Sequence, residues 1–226
     1  MKNYNIAIDG PAGAGKSTIA KNIAKKLGFI YVDTGAMYRA MALYVIQQNV
    51  DVNDSTEIAK ACKSIHVTIQ YQDGEQQVIL NDENVTTLLR TEEVGKMASA
   101  VAKHNDVRTK MVELQRELAV TSNVIMDGRD IGTVVLPNAD LKVYLTASSL
   151  ERARRRYMEL TDKGVLCDLN EIEQDIIARD HQDMNREISP LRQAEDAVLI
   201  DSSNLTINQV VDTIIALYQQ KEGTCL

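Results

Sequence analysis

The chain has 226 residues, a formal net charge of −7 from 25 Lys+Arg against 32 Asp+Glu, and 44% hydrophobic residues. At this length we expect one domain with insertions, spanning residues 1–226. The acidic balance and ordinary apolar content argue against a disordered chain and against a general nucleic-acid binder. No apolar run approaches the roughly 18 residues of a membrane span, and residues 1–5 lack the apolar core of a signal peptide.

Five short apolar runs alternate with helical patterns along the chain, at 6–8, 29–32, 124–126, 141–145 and 197–200. This alternation is typical of a parallel α/β sheet, so we predict a five-stranded parallel core with helices on both faces. Polar residues follow the runs: Asp9, Asp33, Asp127, Thr146 and Asp201. The carboxyl ends of such strands are where open α/β sheets place their ligands, although one such residue alone would merely start a turn.

The segment between the first run and the first helical pattern fits the phosphate-binding sequence G-x-x-x-x-G-K-[ST]. Glycines let backbone N–H groups face one concavity, and the helix that follows adds partial positive charge. In such a cradle Lys16 reaches the β- and γ-phosphates and the Ser17 hydroxyl is a ligand for Mg²⁺. The predicted ATP-binding residues here are Gly10, Pro11, Ala12, Gly13, Ala14, Gly15, Lys16, Ser17 and Thr18. The cradle alone suits switches, motors and small-molecule kinases equally well.

One segment breaks the alternation of strands and helices. Residues 66–71 alternate with period 2, 72–75 have turn chemistry, and 78–80 form a second run before another turn at Asn81-Asp82. Helical patterns follow at about 91–102 and 106–122. We therefore predict a small antiparallel sheet inside a subdomain, 34–122, inserted between the second and third core strands.

The last third of the chain contains helix start signals. Ser148 with Glu151, Asn170 with Glu173 and Thr206 with Gln209 have capping-box spacing, and Ser189-Pro190 predicts where the middle helix ends. Arg152, Arg155 and Arg156 share a helical face by their spacing, in an acidic protein where a cationic cluster favours a small anionic ligand. A charged helix face is more commonly just solvated.

Three isolated cysteines, Cys62, Cys167 and Cys225, have no metal-site spacing. They predict reduced thiols in a cytoplasmic protein without a metal cage. No heptad seam is visible, so we expect a monomer.

Two further motifs carry a family resemblance when they are taken with the cradle: Asp33-Thr34-Gly35-Ala36-Met37-Tyr38-Arg39 and Asp127-Gly128-Arg129-Asp130-Ile131-Gly132-Thr133. In order and spacing the three motifs resemble the bacterial cytidylate kinase (CMP/dCMP kinase) family of nucleoside monophosphate kinases, across essentially the whole chain. The resemblance implies a P-loop kinase fold in which 34–122 binds the nucleoside monophosphate and 152–170 forms a lid. It also implies ATP-dependent, Mg²⁺-assisted phosphorylation of CMP and dCMP to CDP and dCDP.

The same resemblance implies which residues bind CMP: Thr34, Arg39, Ser99, Arg108, Arg129, Asp130, Arg179, Asp183 and Arg186. Arg39 and Arg129 would clamp the CMP phosphate, for which guanidinium forks are well suited. Ser99 and Arg108 would approach cytosine from the inserted subdomain, while Asp130 and Arg186 would hold the base edge. Asp183 would accept a ribose hydroxyl. The spacing i, i+4, i+7 places Arg179, Asp183 and Arg186 on one helical face, which would equally suit plain intrahelical salt bridges.

On the donor side the resemblance implies that Arg152, Arg155 and Arg156 fold over the ATP phosphates as the lid closes. The expected catalytic residues are Lys16, Arg129, Arg152 and Arg155. Ser17 is the expected Mg²⁺ ligand, and Asp33 and Asp127 either order Mg²⁺-bound water or serve as turn residues and helix caps.

Two alternative functions stay open at this point. A related kinase could act on UMP, AMP or shikimate, although shikimate needs no residues that read a base. A P-loop regulatory module could use ATP only as a switch, although a switch has no use for a second phosphate pocket. We expect small-molecule substrates, ATP with CMP or dCMP, and neither nucleic acid nor membrane as partners.

Overall fold

A computed structural model of the chain describes residues 3–72 and 75–223. The strands are β1 (Asn5–Asp9), β2 (Ile30–Asp33), β3 (Val67–Gln72), β4 (Glu75–Leu80), β5 (Glu83–Asn84), β6 (Val124–Gly128), β7 (Leu141–Thr146) and β8 (Val198–Asp201). The α-helices are α1 (Lys16–Leu27), α2 (Thr34–Gln47), α3 (Ser55–Ser64), α4 (Glu92–Val101), α5 (Asn105–Thr121), α6 (Ser149–Asp162), α7 (Leu169–Asn185) and α8 (Ile207–Gly223). A 3₁₀ turn lies at Thr86–Leu88, and a π-helical turn lies at Ile131–Val135.

The central sheet has five strands in the order β2-β6-β1-β7-β8. β1 pairs in parallel with both β6 and β7, and β7 pairs in parallel with β8. Each apolar run of the sequence falls in one of these strands, so the predicted fold class is confirmed. Since the strands are parallel, Asp9, Asp127 and Thr146 come at the same edge of the sheet.

The core of this sheet is aliphatic. The buried side chains of β1, β6 and β7 pack with the apolar stripe of α1, where Ile19, Ile23 and Ala24 recur at helical spacing. Val210, Val211 and Ile214 of α8 join the same cluster. This packing holds the segment between β1 and α1 at the carboxyl edge of a rigid sheet.

The chain divides into two compact units. Within the described residues the first unit comprises 3–31 and 122–223, and the second comprises 32–121. The sequence-based subdomain, 34–122, has nearly the bounds of the second unit.

The second unit contains a three-stranded antiparallel sheet in the order β3-β4-β5. Val67 pairs with Leu80 and Gln72 with Glu75, which confirms the predicted antiparallel pairing of the two runs. Of the first predicted turn, residues 73 and 74 lie outside the described residues. The second turn has positive φ at both Asn81 (45°) and Asp82 (70°), the geometry of a tight two-residue hairpin, and it leads into the short strand β5, which the sequence did not predict.

Four helices accompany this small sheet. α4 and α5 confirm the predicted helical patterns, whereas α2 begins directly at the end of β2 and α3 was not predicted. Asp54 caps α3, since its Oδ1 accepts the backbone N–H groups of Thr56 at 2.8 Å and Glu57 at 3.2 Å.

One of the three predicted capping boxes is confirmed in full, since Gln209 N donates to Thr206 Oγ1 at 3.3 Å and Thr206 N donates to Gln209 Oε1 at 2.9 Å. Ser148 caps α6 by accepting from Glu151 N at 3.2 Å, but its own N–H donates to Ser203 Oγ and not to Glu151. The third prediction is wrong, because α7 is capped by Asp168, whose carboxylate accepts from two backbone N–H groups at 2.8 and 3.0 Å. The helix begins at Leu169, so Asn170 already lies inside its first turn and cannot be the N-cap.

The predicted end of α7 is also wrong. The helix ends at Asn185, and Arg186 adopts an extended backbone as its C-cap. Arg186 therefore does not continue the helical face of Arg179 and Asp183. Pro190 disfavours helical backbone at the residue before it, so it sets only the latest point at which α7 could end. The segment between the helix and Pro190 includes Ser189, which has φ 50°.

Among the described residues no helix combines the length and the apolar character needed to cross a bilayer. Cys62 is a buried free thiol and Cys167 a half-buried one, while Cys225 lies outside the described residues.

Candidate active site

The loop between β1 and α1 forms a glycine-lined cradle. Gly10 has φ +150°, and a Cβ there would lie 1.9 Å from the Leu145 carbonyl oxygen, so only glycine fits. Gly15 is the N-cap of α1 with φ +86°, a left-handed conformation that glycine adopts without strain. The first N–H groups of an α-helix have no partner inside the helix, so the start of α1 offers donors of the kind that bind phosphate.

Lys16 is a buried cation in this cradle. Its Nζ donates to the Pro11 carbonyl oxygen at 2.7 Å. Burial, and after it the positive charge of Arg129, lower the pKa of Lys16 from 10.5 to about 7 against the opposing effect of Asp127 and Asp9. An anion in the cradle would favour the charged form again, so the site is matched to a phosphate chain.

Ser17 and Asp127, beside Lys16, bring together a hydroxyl oxygen and a carboxylate. Ser17 Oγ donates to Asp127 Oδ2 at 2.9 Å, and the Tyr31 hydroxyl donates to Asp127 Oδ1 at 2.8 Å. Among the described residues, 3–72 and 75–223, no three or more His, Cys, Asp or Glu side chains form a group that could hold a metal ion. The hydroxyl and carboxylate oxygens of Ser17 and Asp127 are ligands of the kind that Mg²⁺ takes, since this ion binds few protein oxygens and completes its shell with water and phosphate oxygens.

Asp9 is a functional candidate to which the sequence assigned no role beyond its place at a strand end. Its carboxylate accepts the backbone N–H of Ile131 at 2.8 Å and that of Gly132 at 2.7 Å. Burial raises the pKa of Asp9 to about 6 in spite of these two bonds. No sequence signal marks a contact between positions 122 residues apart.

The residues after β6 form a second charged group with the end of α7. Arg129 Nε donates to Asp183 Oδ2 at 2.8 Å, and Arg186 Nη2 lies 3.7 Å from Asp130 Oδ1. The structure thus brings together four of the residues that the resemblance assigns to CMP. Arg179, also on α7, is exposed.

The three predicted lid arginines have different surroundings. Arg152 is 4% exposed and donates from Nε to Ala147 O and from Nη1 to Ala12 O in the cradle, both at 2.9 Å. Its guanidinium also forms two bonds with Asp180 of α7, a residue that the sequence did not single out.

The other two arginines are more accessible. Arg155 donates to the Ser202 carbonyl oxygen at 2.8 Å, and its Nη1 lies 3.9 Å from the Cβ position of Gly15. Arg156 pairs with Glu159 at 2.9 Å on the exposed side of α6. Arg152 and Arg155 therefore contact or approach the cradle, whereas Arg156 makes an ordinary surface ion pair.

The second unit contains its own cluster at the start of α2. Asp33 caps the helix by accepting the backbone N–H of Ala36 at 2.9 Å, which is the cap role that the sequence offered as one alternative. Its carboxylate also pairs with Arg39 at 3.1 Å. Arg39 Nε is buried and has no hydrogen-bond partner within the described part of the chain. Thr34, the first residue of α2, is buried. The cluster thus holds a guanidinium with an unused donor.

The remaining two predicted residues lie on α4 and α5. Arg108 is buried on α5, with its guanidinium carbon 5.8 Å from the centre of the Tyr38 ring. Ser99 is half-buried on α4, and its hydroxyl donates to the Gly95 carbonyl oxygen at 3.4 Å.

Comparison with known proteins gives a consistent result. The cytidylate kinase family model matches residues 6–220. The chain is 50% identical over 223 residues to a cytidylate kinase of Caldicellulosiruptor saccharolyticus, covering 99% of each chain. It is 49% identical over 223 residues to a cytidylate kinase of Desulfitobacterium hafniense, covering 99% of this chain and 96% of that one.

A solved structure resembles the fold at much lower identity. An uncharacterized protein from Eubacterium ventriosum superposes with a TM-score of 0.52 at 12% identity, covering 95% of this chain and 98% of that one. This likeness shows the fold alone.

Proposed function

The chain belongs to the cytidylate kinase family, and from that premise we propose that it transfers the γ-phosphoryl group of ATP to CMP and dCMP. The observation that supports this most directly is the hydrogen bond of Ser17 Oγ to Asp127 Oδ2 at 2.9 Å, which holds the end of β6, directly before Arg129, beside the cradle that contains Lys16. The Lys16 cation belongs to a cradle for the donor phosphates, and the Arg129 cation belongs to the motif that the family uses for the acceptor phosphate. Two such cations in one charged centre suit transfer between two phosphates.

The reaction breaks the bond between the γ-phosphorus and the oxygen that bridges it to the β-phosphate. A new bond forms from the γ-phosphorus to an oxygen of the acceptor monophosphate, giving ADP and CDP. The acceptor oxygen is already ionised near neutral pH, so no strong base is needed. Catalysis consequently rests on positioning and on neutralising charge.

Lys16 and the backbone N–H groups of the cradle bind the donor phosphates in this proposal. Ser17, with Asp127 beside it through a 2.9 Å hydrogen bond, holds Mg²⁺, which neutralises charge on the β- and γ-phosphates when it is bound. Arg155 approaches the cradle from α6, and Arg152 contacts it through Ala12 O at 2.9 Å. In this proposal both arginines place positive charge near the transferring phosphoryl group. Arg156 adds a third positive charge from the exposed side of α6.

Arg129 donates to the acceptor phosphate in this proposal, and Asp183 accepts a ribose hydroxyl. Asp130 and Arg186 read the cytosine edge, where an amino donor lies beside ring acceptors. Uracil reverses the donor and acceptor at two positions and leaves buried groups unpaired, at about 1–3 kcal/mol each. The remaining proposed acceptor ligands are Arg179 of the first unit and Thr34, Arg39, Ser99 and Arg108 of the second.

A coupled assay of ADP formation tests the proposal with CMP, dCMP, UMP, AMP and shikimate supplied in turn. We expect rapid turnover with CMP and dCMP, slower turnover with UMP, and background rates with AMP and shikimate. A preference for AMP or shikimate would contradict the acceptor assignment. Loss of ATP at the same rate without any acceptor would favour the regulatory-switch alternative.

We propose further that the chain acts as a monomer in the cytoplasm, which its isolated cysteines and the absence of a heptad seam in the sequence support. Light scattering on the purified protein, expected near the chain mass of 25.1 kDa, tests the first part. A dimer mass would contradict it.

A further inference from the structure

Asp9 occupies the last position of β1, directly before the cradle, and its side chain is only 5% exposed. Neither the donor nor the Mg²⁺ assignment above uses it. Both carboxylate oxygens are instead committed to protein: Oδ1 accepts from Ile131 N at 2.8 Å and Oδ2 from Gly132 N at 2.7 Å. A buried carboxylate with two charge-assisted bonds to one backbone segment fixes that segment firmly.

The two N–H groups belong to the start of the π-helical turn Ile131–Val135. The first N–H groups of a helical turn have no partner inside the turn and need an acceptor from elsewhere. Asp130 is the N-cap of the turn, but its side chain makes no capping bond. Asp9, at the end of β1, therefore caps the turn in its place by accepting both N–H groups.

The far end of the same segment is fixed by Lys142 of β7. Its buried side chain donates from Nζ to Pro137 O at 2.6 Å and to Asp196 Oδ1 at 2.8 Å. Lys142 and Asp9 also enclose Gly132, where an added Cβ would lie 3.1 Å from Lys142 Cδ and 3.4 Å from Asp9 Oδ2. Glycine at 132 lets the Lys142 side chain pack closely against the turn, while Asp9 Oδ2 stays at ordinary contact distance.

Arg129 and Asp130 lie immediately before this turn. Arg129 extends to Asp183 at 2.8 Å, so its guanidinium depends on where the backbone of residues 128–131 runs. Residues 128 and 9 are also register partners in the sheet. The Asp9 carboxylate thus links the end of β1, where the donor cradle begins, to Ile131 and Gly132 of the motif that contains Arg129 and Asp130.

We propose that Asp9 is a positioning residue for the acceptor nucleotide, holding Arg129 and Asp130 through the N–H groups of Ile131 and Gly132. The inference rests on the proposed function, because it assumes that Arg129 and Asp130 bind CMP. It assigns Asp9 no contact with either substrate. Its effect is therefore expected in acceptor affinity and not in donor affinity.

The decisive substitution is Asp9→Asn, which keeps the shape of the side chain. The amide can accept only one of the two N–H bonds and turns its NH₂ group toward the other donor. We expect the dissociation constant of CMP, measured by calorimetry without ATP, to rise about 10-fold or more, as a displaced binding group would cause. The dissociation constant of ATP, measured without CMP, is expected to stay within about twofold.

Asp54→Asn is the matched control, since Asp54 also accepts two backbone N–H groups at a helix start but has no proposed substrate role. It is expected to leave both dissociation constants unchanged. Asp9→Glu provides a second route, because the longer side chain keeps the charge but moves the carboxylate away from the N–H groups of Ile131 and Gly132. We expect it to weaken CMP binding in the same direction, and it decides the question if Asp9→Asn does not fold.

A spectroscopic readout checks the contact itself. Burial raises the pKa of Asp9 to about 6, with Asp130 raising it and Lys16 lowering it among the charged groups that act on it. The amide resonances of Ile131 and Gly132 are therefore expected to move with a midpoint near pH 6 in the unaltered protein and not in Asp9→Asn.

Two different failures can be separated. If the unaltered protein binds no CMP, the proposed function fails and this inference fails with it. If it binds CMP and a folded Asp9→Asn variant binds CMP equally well, only the positioning role is overturned. A parallel loss of ATP and CMP affinity would likewise overturn it, because that pattern indicates general loosening of the fold.

Discussion

Arg152 and Asp180 form a bidentate ion pair between α6 and α7, with Nη1···Oδ1 at 3.1 Å and Nη2···Oδ2 at 2.5 Å. Both side chains are largely buried, at 5% and 14% exposed. The same guanidinium donates to Ala12 O at 2.9 Å, so the pair also touches the phosphate cradle. A fork of this kind requires arginine, because lysine has one donor centre and cannot form two parallel bonds.

Arg152→Lys is consequently not a conservative change. We expect it to lower turnover by roughly 10–100-fold, because the cradle loses a donor to Ala12 O and the charge moves away from the transferring phosphoryl group. Turnover with CMP at saturating substrates measures the effect. Arg154→Lys is the control on the same helix, where the side chain is 60% exposed and pairs only weakly with Glu151 at 4.0 Å.

Asp180→Asn tests the partner. Breaking a buried pair by neutralising one member costs about 3–5 kcal/mol of unfolding free energy, which urea denaturation would detect. Asp175→Asn, at an exposed position of the same helix, is expected to change stability by less than about 0.5 kcal/mol. Full turnover in Arg152→Lys together with normal stability in Asp180→Asn would contradict this account of the pair.

Lys16 is the clearest target for a loss of activity. Lys16→Met removes the cation but keeps most of the buried stem, so we expect turnover to fall by about 10²–10³-fold, the effect typical of losing one charge-stabilising donor. Folding is expected to persist, because the buried ammonium contributes little to stability when its pKa is already lowered to about 7. Circular dichroism and thermal melting serve as the check on folding. Near-normal turnover would rule out the donor role.

Arg129 is expected to affect acceptor use. Arg129→Ala removes a charge-assisted bond worth about 1.5–3 kcal/mol, so the KM for CMP should rise by roughly 10–100-fold while the KM for ATP stays within about threefold. Steady-state kinetics with each substrate varied in turn gives both constants. Arg129→Lys separates charge from fork geometry, because a point charge restores only part of the loss. An unchanged KM for CMP with full turnover would exclude the clamp.

The sequence predicted those parts of the molecule that depend on short stretches of chain. The cradle was predictable because Gly10 and Gly15 need backbone conformations that few other residues adopt. The sheet strands were predictable because each is a compact apolar run, and the caps Ser148 and Thr206 because their partners lie three residues away.

Long-range contacts of side chains were not predictable in this way. Asp9 meets Ile131 across 122 positions, and Arg152 meets Asp180 across 28, with no periodicity to mark either pair. The end of α7 was misplaced because Pro190 sets only the latest point at which the helix can end. The two-residue strand β5 is too short to produce any pattern.

The low pKa of Lys16 has a measurable consequence for ATP binding. With a pKa of about 7 in the free protein, Lys16 is mostly neutral at pH 8. The triphosphate favours the ammonium form and raises the pKa, so binding ATP at pH 8 should take up close to one proton. At pH 6 the side chain is already charged and the uptake by this group should approach zero.

Calorimetry in buffers of different ionisation enthalpy measures this uptake, because each proton drawn from the buffer adds the buffer's own heat. Lys16→Arg is the matched control, since a guanidinium keeps its proton at every working pH and should bind ATP without uptake at this position. Proton uptake of about 0.9 at pH 8 in the unaltered protein, lost in Lys16→Arg, is the expected result. The same uptake in both proteins would assign the proton to another group and contradict a neutral Lys16 in the free cradle.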